Sequence, residues 1–208
     1  MTNFEDARAR WDRRFGESDA LFGEDPNAWL AAHARLFTPG MRVLSLADGQ
    51  GRNGLWAARR GCRVVAFDIS QVGVEQARRR AAQLGLQIEL GVADVADRAW
   101  DEDAFDAVLG IFFQFAPPGL RARIFAGVAR TLRPGGIFVL EGYGPRQLEY
   151  RTGGPGIAEN LYAVPMLLQA FDGWRIEASR EVHVDLAEGS GHVGRSHLIS
   201  MVLRKPAV

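Results

Sequence analysis

Short apolar runs alternating with stretches of helical period constrain this chain more than any other feature of it. Residues 41–46, 63–67, 87–91, 105–111 and 137–141 read as strands, each apolar on both faces. Such strands must be covered on both sides, and their alternation with helices predicts a mainly parallel sheet flanked by helices. Ser70 suits the N-cap of a helix running to residue 84, with Gly85 at its C-terminal stop. Pro117 and Pro118 open a helix that ends near residue 132, and Arg133-Pro134-Gly135-Gly136 predicts a turn into the next strand. Two helical pieces, 4–15 and 26–37, precede the first strand, with Asp25 and Pro26 as cap and first-turn pair of the second.

The C-terminal end follows another rule. Residues 174–186 and 196–204 read as strands, joined by 187–195 with Gly189, Gly191 and Gly194 in it. A parallel crossover needs a dozen or more residues and usually a helix. This link is too short, so the last two strands are expected to be antiparallel neighbours.

A chain of 208 residues can bury one domain and is short for two. Lys plus Arg and Asp plus Glu number 25 each, giving a formal net charge of zero. That removes the usual electrostatic case for nucleic acid or an acidic membrane as partner. The clusters at Arg59, Arg60 and Arg63 and at Arg78, Arg79 and Arg80 read as solvated helix ends and faces. Cys62 is the only cysteine, so neither an internal disulfide nor a metal site is expected. Residues 1–15 mix acids and bases, unlike a signal peptide, and no apolar run approaches the ~20 residues of a membrane span. Cytoplasmic residence is the expectation, as a monomer or homodimer.

The candidate site begins at the first strand's end. Gly49-Gln50-Gly51-Arg52-Asn53-Gly54 fits G-x-G-x-x-G, placed after a strand and before a helix. Glycines there let the backbone turn sharply and approach a ligand. Asp68 follows 17 residues after Gly51 at the next strand's end, where a carboxylate can accept from ribose hydroxyls or cap a helix with Ser70. Asp94, just beyond the third strand, can accept from an exocyclic adenine amine with Val95 against the ring, or simply serve a turn. These elements suit a nicotinamide dinucleotide, with its pyrophosphate at the helix start. They equally suit S-adenosylmethionine, which has no phosphate. The antiparallel ending favours the second.

Together these residues resemble the class I S-adenosylmethionine-dependent methyltransferases. The resemblance is carried by Val43-Leu44-Ser45-Leu46-Ala47-Asp48-Gly49-Gln50-Gly51-Arg52-Asn53, Asp68-Ile69-Ser70, Asp94, Phe105-Asp106-Ala107-Val108 and Leu132-Arg133-Pro134-Gly135-Gly136. Arg52-Asn53, the opening Trp11-Asp12-Arg13-Arg14-Phe15, Pro26-Asn27 and Glu188-Gly189 before His192 are similar to the branch of tellurite-resistance-type small-molecule methyltransferases. The resemblance implies a doubly wound, Rossmann-like α/β fold. Its sheet would have seven strands, the C-terminal one antiparallel, with helices on both faces. It also implies a single domain over 1–208, with an N-terminal helical cap at 1–38 and a core at 39–208. S-adenosyl-L-methionine would be the cofactor and S-adenosyl-L-homocysteine its product. The cofactor would meet Ala47, Asp48, Gly49, Gly51, Arg52, Asn53, Asp68, Ile69, Ser70, Asp94 and Val95. It would also meet Gly110, Ile111 and Phe112 after the fourth strand, with Trp11 closing over it. One departure stands out: many members carry an acid where this chain has Ser45 and a glycine where it has Ala47, while its own acid falls at Asp48.

Methyl transfer asks for alignment and exclusion of water, and for a base only when the acceptor holds a proton. The expected acceptor is a small molecule, such as a thiol or a chalcogen oxyanion. Ligands of open α/β sheets bind beyond the carboxyl ends of the strands. That edge collects Phe112, Phe113 and Phe115, and the glycine- and proline-rich stretch 142–156 with Tyr143, Arg146, Tyr150 and Arg151, which reads as a substrate loop. His192 is the expected proton-accepting or orienting group. Glu188, Tyr143, Arg146, Phe113 and Phe15 are the expected substrate residues, and packing or surface charge accounts for the same residues equally well. The rival functions are a nicotinamide-dependent oxidoreductase and a non-catalytic S-adenosylmethionine-binding protein.

Overall fold

A computed structural model describes residues 4–207. Residues 1–3 and Val208, which the expected domain 1–208 takes in, lie outside the described residues. The chain divides into two compact units, Met1–Ala99 and Trp100–Val208.

In the first unit, α1 (Phe4–Gly16) and α2 (Ala28–Ala32) precede β1 (Arg42–Leu46), α3 (Arg52–Arg59), β2 (Arg63–Asp68), α4 (Gln71–Gln83) and β3 (Glu89–Val92). The strands are parallel in the order β3-β2-β1. Val43, Leu44, Ala66 and Phe67 are buried in the sheet, with Leu55 and Ala77 from the covering helices. Ser70 caps α4 as expected, accepting from the Gly73 N–H at 3.1 Å, and Gly85 follows in the left-handed region at φ +64°. The cap of α2 differs from expectation. Asn27, not Asp25, accepts the Leu30 N–H at 3.1 Å, because Asn53 Oδ1 takes the Asn27 N–H and fixes the helix start just after Pro26. His33 Nδ1 contacts the Trp29 carbonyl at 2.8 Å, and the chain continues as a 3₁₀ turn rather than a helix to residue 37.

In the second unit, β4 (Phe105–Ile111), α5 (Pro118–Thr131) and β5 (Leu132–Tyr143) are followed by α6 (Gln147–Tyr150) and α7 (Val164–Ala170). A hairpin of β6 (Arg175–Glu188) and β7 (His192–Arg204) ends the chain. The strand order is β4-β5-β7-β6, with β4 and β5 parallel and β7 antiparallel to both of its neighbours. The sheet has seven strands in all, and its last is antiparallel as expected.

Two turns differ from expectation. Arg133-Pro134-Gly135-Gly136 does not precede β5 but lies inside it as a bulge. Phe105 pairs with Leu132 and Ala107 with Ile137, and Gly135 at φ +76° donates to the Lys205 carbonyl at 3.1 Å. The link 187–195 is likewise mostly strand. Leu186 pairs with Gly194 and Glu188 with His192, so only Gly189, Ser190 and Gly191 turn the chain, with Gly189 at φ +62°. The ladder tolerates Gly194 within a strand, and that tolerance hid the true turn.

Candidate functional site

The glycine loop is built by three left-handed residues. After β1 the chain passes Ala47 at φ +47°, Gly49 at φ +54° and Gly51 at φ +85°. For Ala47 this conformation costs ~1–2 kcal/mol, a strain that glycine would not carry. Asp68, at the end of β2, holds the loop in place. Its Oδ2 accepts the Gly49 N–H at 2.9 Å and its Oδ1 accepts the Ser70 N–H at 2.8 Å. It is 6% exposed, and burial pushes its pKa up to about 6 against the backbone N–H groups that lower it. The backbone N–H of Ile69 is a third donor to the same carboxylate. Asp68 is therefore tied both to the loop and, past Ile69, to the start of α4.

Asp48 answers the departure seen in the sequence. Ser45 Oγ donates to Asp48 Oδ1 at 2.7 Å, and the Gly54 N–H reaches Asp48 Oδ2 at 3.0 Å. The N-cap of α3 is Gly51, which has no side chain to satisfy the first-turn N–H groups. Asp48 supplies that acceptor from three residues upstream. Burial raises its pKa to about 7 despite the Ser45 and Gly54 hydrogen bonds.

Arg52 and Asn53, expected at the cofactor, turn their side chains to the N-terminal segment. Arg52 Nη1 donates to the Phe22 carbonyl at 2.8 Å, and Asn53 Oδ1 accepts the Asn27 N–H at 2.9 Å. Gln50 joins them, accepting the Leu21 N–H at 2.8 Å and donating to the Ser18 carbonyl at 2.6 Å. Gln76 Nε2 donates to the Phe15 carbonyl at 3.0 Å. Asp12 of α1 accepts from Ser70 Oγ at 2.5 Å and from the Val72 N–H at 3.1 Å, at the head of α4. Phe15, expected beside the substrate, is 2% exposed. Its ring lies 2.8 Å from where a Cβ on Gly49 would stand and 2.9 Å from the same point on Gly73. Trp11 stacks on Phe15 with centroids 5.4 Å apart and is half-buried.

Asp94 follows β3. Its Oδ1 accepts the Ala96 N–H at 2.8 Å, and Val95 beside it is 4% exposed. The acceptors of this unit fit an adenosine: a remaining lone pair on Asp68 for a ribose hydroxyl and the lone pairs of Asp94 for an exocyclic amine.

The second unit gathers a different set. Phe112, at φ +54°, lies with its ring centroid 4.9 Å from Tyr143 and 4.3 Å from His192. His192 is 7% exposed, and its Nδ1 is 3.6 Å from Glu188 Oε2 across the hairpin turn. Thus Phe112, Tyr143, His192 and Glu188 form one cluster. Gly110 and Ile111 lie on the buried end of β4, and a Cβ on Gly110 would stand 2.6 Å from the Phe113 ring. Phe113 is 1% exposed among Phe115, Phe125 and Tyr162. Arg146 is exposed and paired with Glu149 at 3.2 Å, which holds its pKa above the usual guanidinium value. A cleft of about 350 Å³ is lined by Gln147, Leu148, Arg151, Gly153, Gly154, Gly156 and Leu161, and by no residue of the glycine loop.

Sequence reasoning missed the glutamines. Gln114 Nε2 donates to the Tyr143 carbonyl at 2.8 Å and its Oε1 takes the Tyr143 N–H, while Gln50 and Gln147 brace neighbouring chain in the same way. A lone amide inside the aromatic run 112–115, or between two loop glycines, was the available signal.

Residues 43–136 match the model of the methyltransferase domain family. Demethylmenaquinone methyltransferase of Clavibacter sepedonicus is 32% identical over 155 residues, 64% of this chain and 60% of that protein. The chain thus spans less than two-thirds of that relative's length. A protein solved in work on conversion of a disulfide bond into a thioacetal group during echinomycin biosynthesis superposes with a TM-score of 0.77 at 20% identity, covering 96% of this chain and 92% of that one. TehB from Haemophilus influenzae superposes at 0.71 and 18% identity, over 86% of this chain and 62% of that one. The superpositions show the Rossmann-like α/β fold, and the stretch that matches the methyltransferase domain family contains the glycine loop, Asp68 and Asp94.

Proposed function

We propose that this protein transfers a methyl group from S-adenosylmethionine to a small-molecule acceptor, with 1–208 acting as one methyltransferase domain. The observation that carries the reading is the Asp48 carboxylate at the N-terminal end of α3. A dinucleotide would bring its pyrophosphate to that helix end. Once ionised, above its raised pKa of about 7, an acid at that position repels a phosphate and favours a cationic ligand. Asp68 and Asp94 supply the acceptors for ribose and adenine, and Trp11 with Phe15 covers the loop from the N-terminal side.

The cofactor supplies a methyl group already activated on a sulfonium. The chain's own work is to align the acceptor and keep water out. For a thiol acceptor, His192 takes the proton, with Glu188 orienting its ring; a chalcogen oxyanion accepts the methyl on a lone pair of an atom that bears no proton. We propose acceptors of these two kinds, with Tyr143 and Phe112 forming the apolar wall beside His192. A labelled-methyl assay over thiols, selenite, tellurite, phenols and amines tests this. Methyl transfer to a thiol or an oxyanion supports it, and transfer confined to amines contradicts the acceptor assignment.

A further inference from the structure

The loop that follows β5 has two arginines with opposite circumstances. Arg146 is neutralised by Glu149 at 3.2 Å. Arg151 has no hydrogen bond or ion pair to its side chain among the described residues, and it lines the 350 Å³ cleft. Its backbone is in the left-handed region at φ +56° and ψ +25°, where its N–H closes α6 onto the Gln147 carbonyl at 3.1 Å. An L-residue there costs ~1–2 kcal/mol, and glycine or asparagine would fill the position more cheaply. Strain of this kind gathers at sites that use it.

The rest of the cleft complements that charge. Gly153, Gly154 and Gly156 line it, and their backbone N–H groups have no acceptor among the described residues. Leu148 and Leu161 supply apolar wall, and Leu148 is 39% exposed. The loop is pinned rather than loose. Gln147 Nε2 donates to Thr152 Oγ1 at 3.0 Å and to the Gly153 carbonyl at 3.3 Å, its Oε1 takes the His197 N–H at 3.0 Å, and Thr152 donates to the Arg195 carbonyl. The volume lies at the small end of small-molecule sites.

We propose that this cleft binds the carboxylate of an organic acid with a compact apolar body, Arg151 and the glycine N–H groups taking the anion and the two leucines the body. Naming that ligand the methyl acceptor rests on the methyltransferase reading; the binding itself does not. An acceptor of this class would carry its reacting thiol and its anchoring carboxylate on one small molecule.

The test is titration calorimetry of the full chain with 3-phenylpropionate, its neutral amide and sodium selenite. Wild type should bind the acid at least tenfold more tightly than the amide, and more tightly than selenite. Arg151→Asn, which keeps the left-handed backbone, should lose that preference, whereas Arg151→Lys should keep part of it. Equal binding of acid and amide, no binding of the acid, or an unchanged preference in Arg151→Asn overturns the proposal. Preferential binding of selenite would show an inorganic oxyanion site and overturn the organic assignment. S-adenosylhomocysteine affinity, measured in the same samples, separates the two readings: its absence contradicts the methyltransferase assignment while leaving the carboxylate result to stand or fall alone.

Discussion

Asp48 closes the N-terminal end of α3 by accepting the Gly54 N–H at 3.0 Å. The bond explains why the chain does without an acid at Ser45: the hydroxyl there donates to the same carboxylate at 2.7 Å. An acid displaced by three residues ends up serving the helix and, above its raised pKa of about 7, presenting negative charge beside the glycine loop.

The titration of that acid gives the first prediction. Burial raises the pKa of Asp48 from 3.8 to about 7 and that of Asp68 from 3.8 to about 6. Folding therefore favours their protonated forms. That stability is intact below about pH 4 and is lost as pH rises through 6 and 7, by ~1.4 kcal/mol for each pH unit that separates a group's folded and unfolded pKa. The melting temperature should fall between about pH 4.5 and 8. Asp48→Asn should flatten the fall, leaving the smaller share of Asp68. Parallel profiles for the two proteins would contradict the raised pKa of Asp48.

Asp68 links Gly49 to Ser70. Asp68→Ala should weaken S-adenosylmethionine binding tenfold or more in a calorimetric titration, because it removes the proposed ribose acceptor and releases the loop together. An unchanged dissociation constant would take Asp68 out of the site.

The N-terminal segment should open as a unit. Asn53→Ala removes the acceptor for the Asn27 N–H, and hydrogen exchange should speed up across residues 18–30 without a matching change in β6 and β7. Phe15→Ala should cost ~3–5 kcal/mol in denaturant unfolding, as a ring packed on Gly49 and Gly73 is deleted. Exchange rates equal to wild type would show that Asn53 does not hold the segment.

His192→Gln should lower kcat for a thiol acceptor about 10²-fold and leave S-adenosylhomocysteine affinity unchanged. The loss should shrink as pH rises, since the acceptor then ionises unaided. A loss independent of pH would make His192 a packing residue for Phe112 rather than a base.

Much of the fold was legible because it rests on period and punctuation. Ser70, Gly85 and Pro118 mark helix ends by local chemistry, and the short final link set β6 and β7 antiparallel. The bulge at Arg133–Gly136 and the strand around Gly194 were not legible, because ladder pairing overrode turn propensity there. Within the candidate site, residue types placed Asp68 and Asp94 at strand ends. Side-chain direction was invisible: nothing in Arg52-Asn53 says that both reach for Phe22 and Asn27.

The glycine loop is proposed to hold a cationic adenosyl cofactor. Titration of the full chain with S-adenosylmethionine, S-adenosylhomocysteine and NAD at about pH 8, above the raised pKa of Asp48, tests it most directly. Micromolar or tighter binding of the first two is expected, weakened by Asp48→Ala, with no measurable binding of NAD. Binding of NAD without a response to S-adenosylmethionine would contradict it.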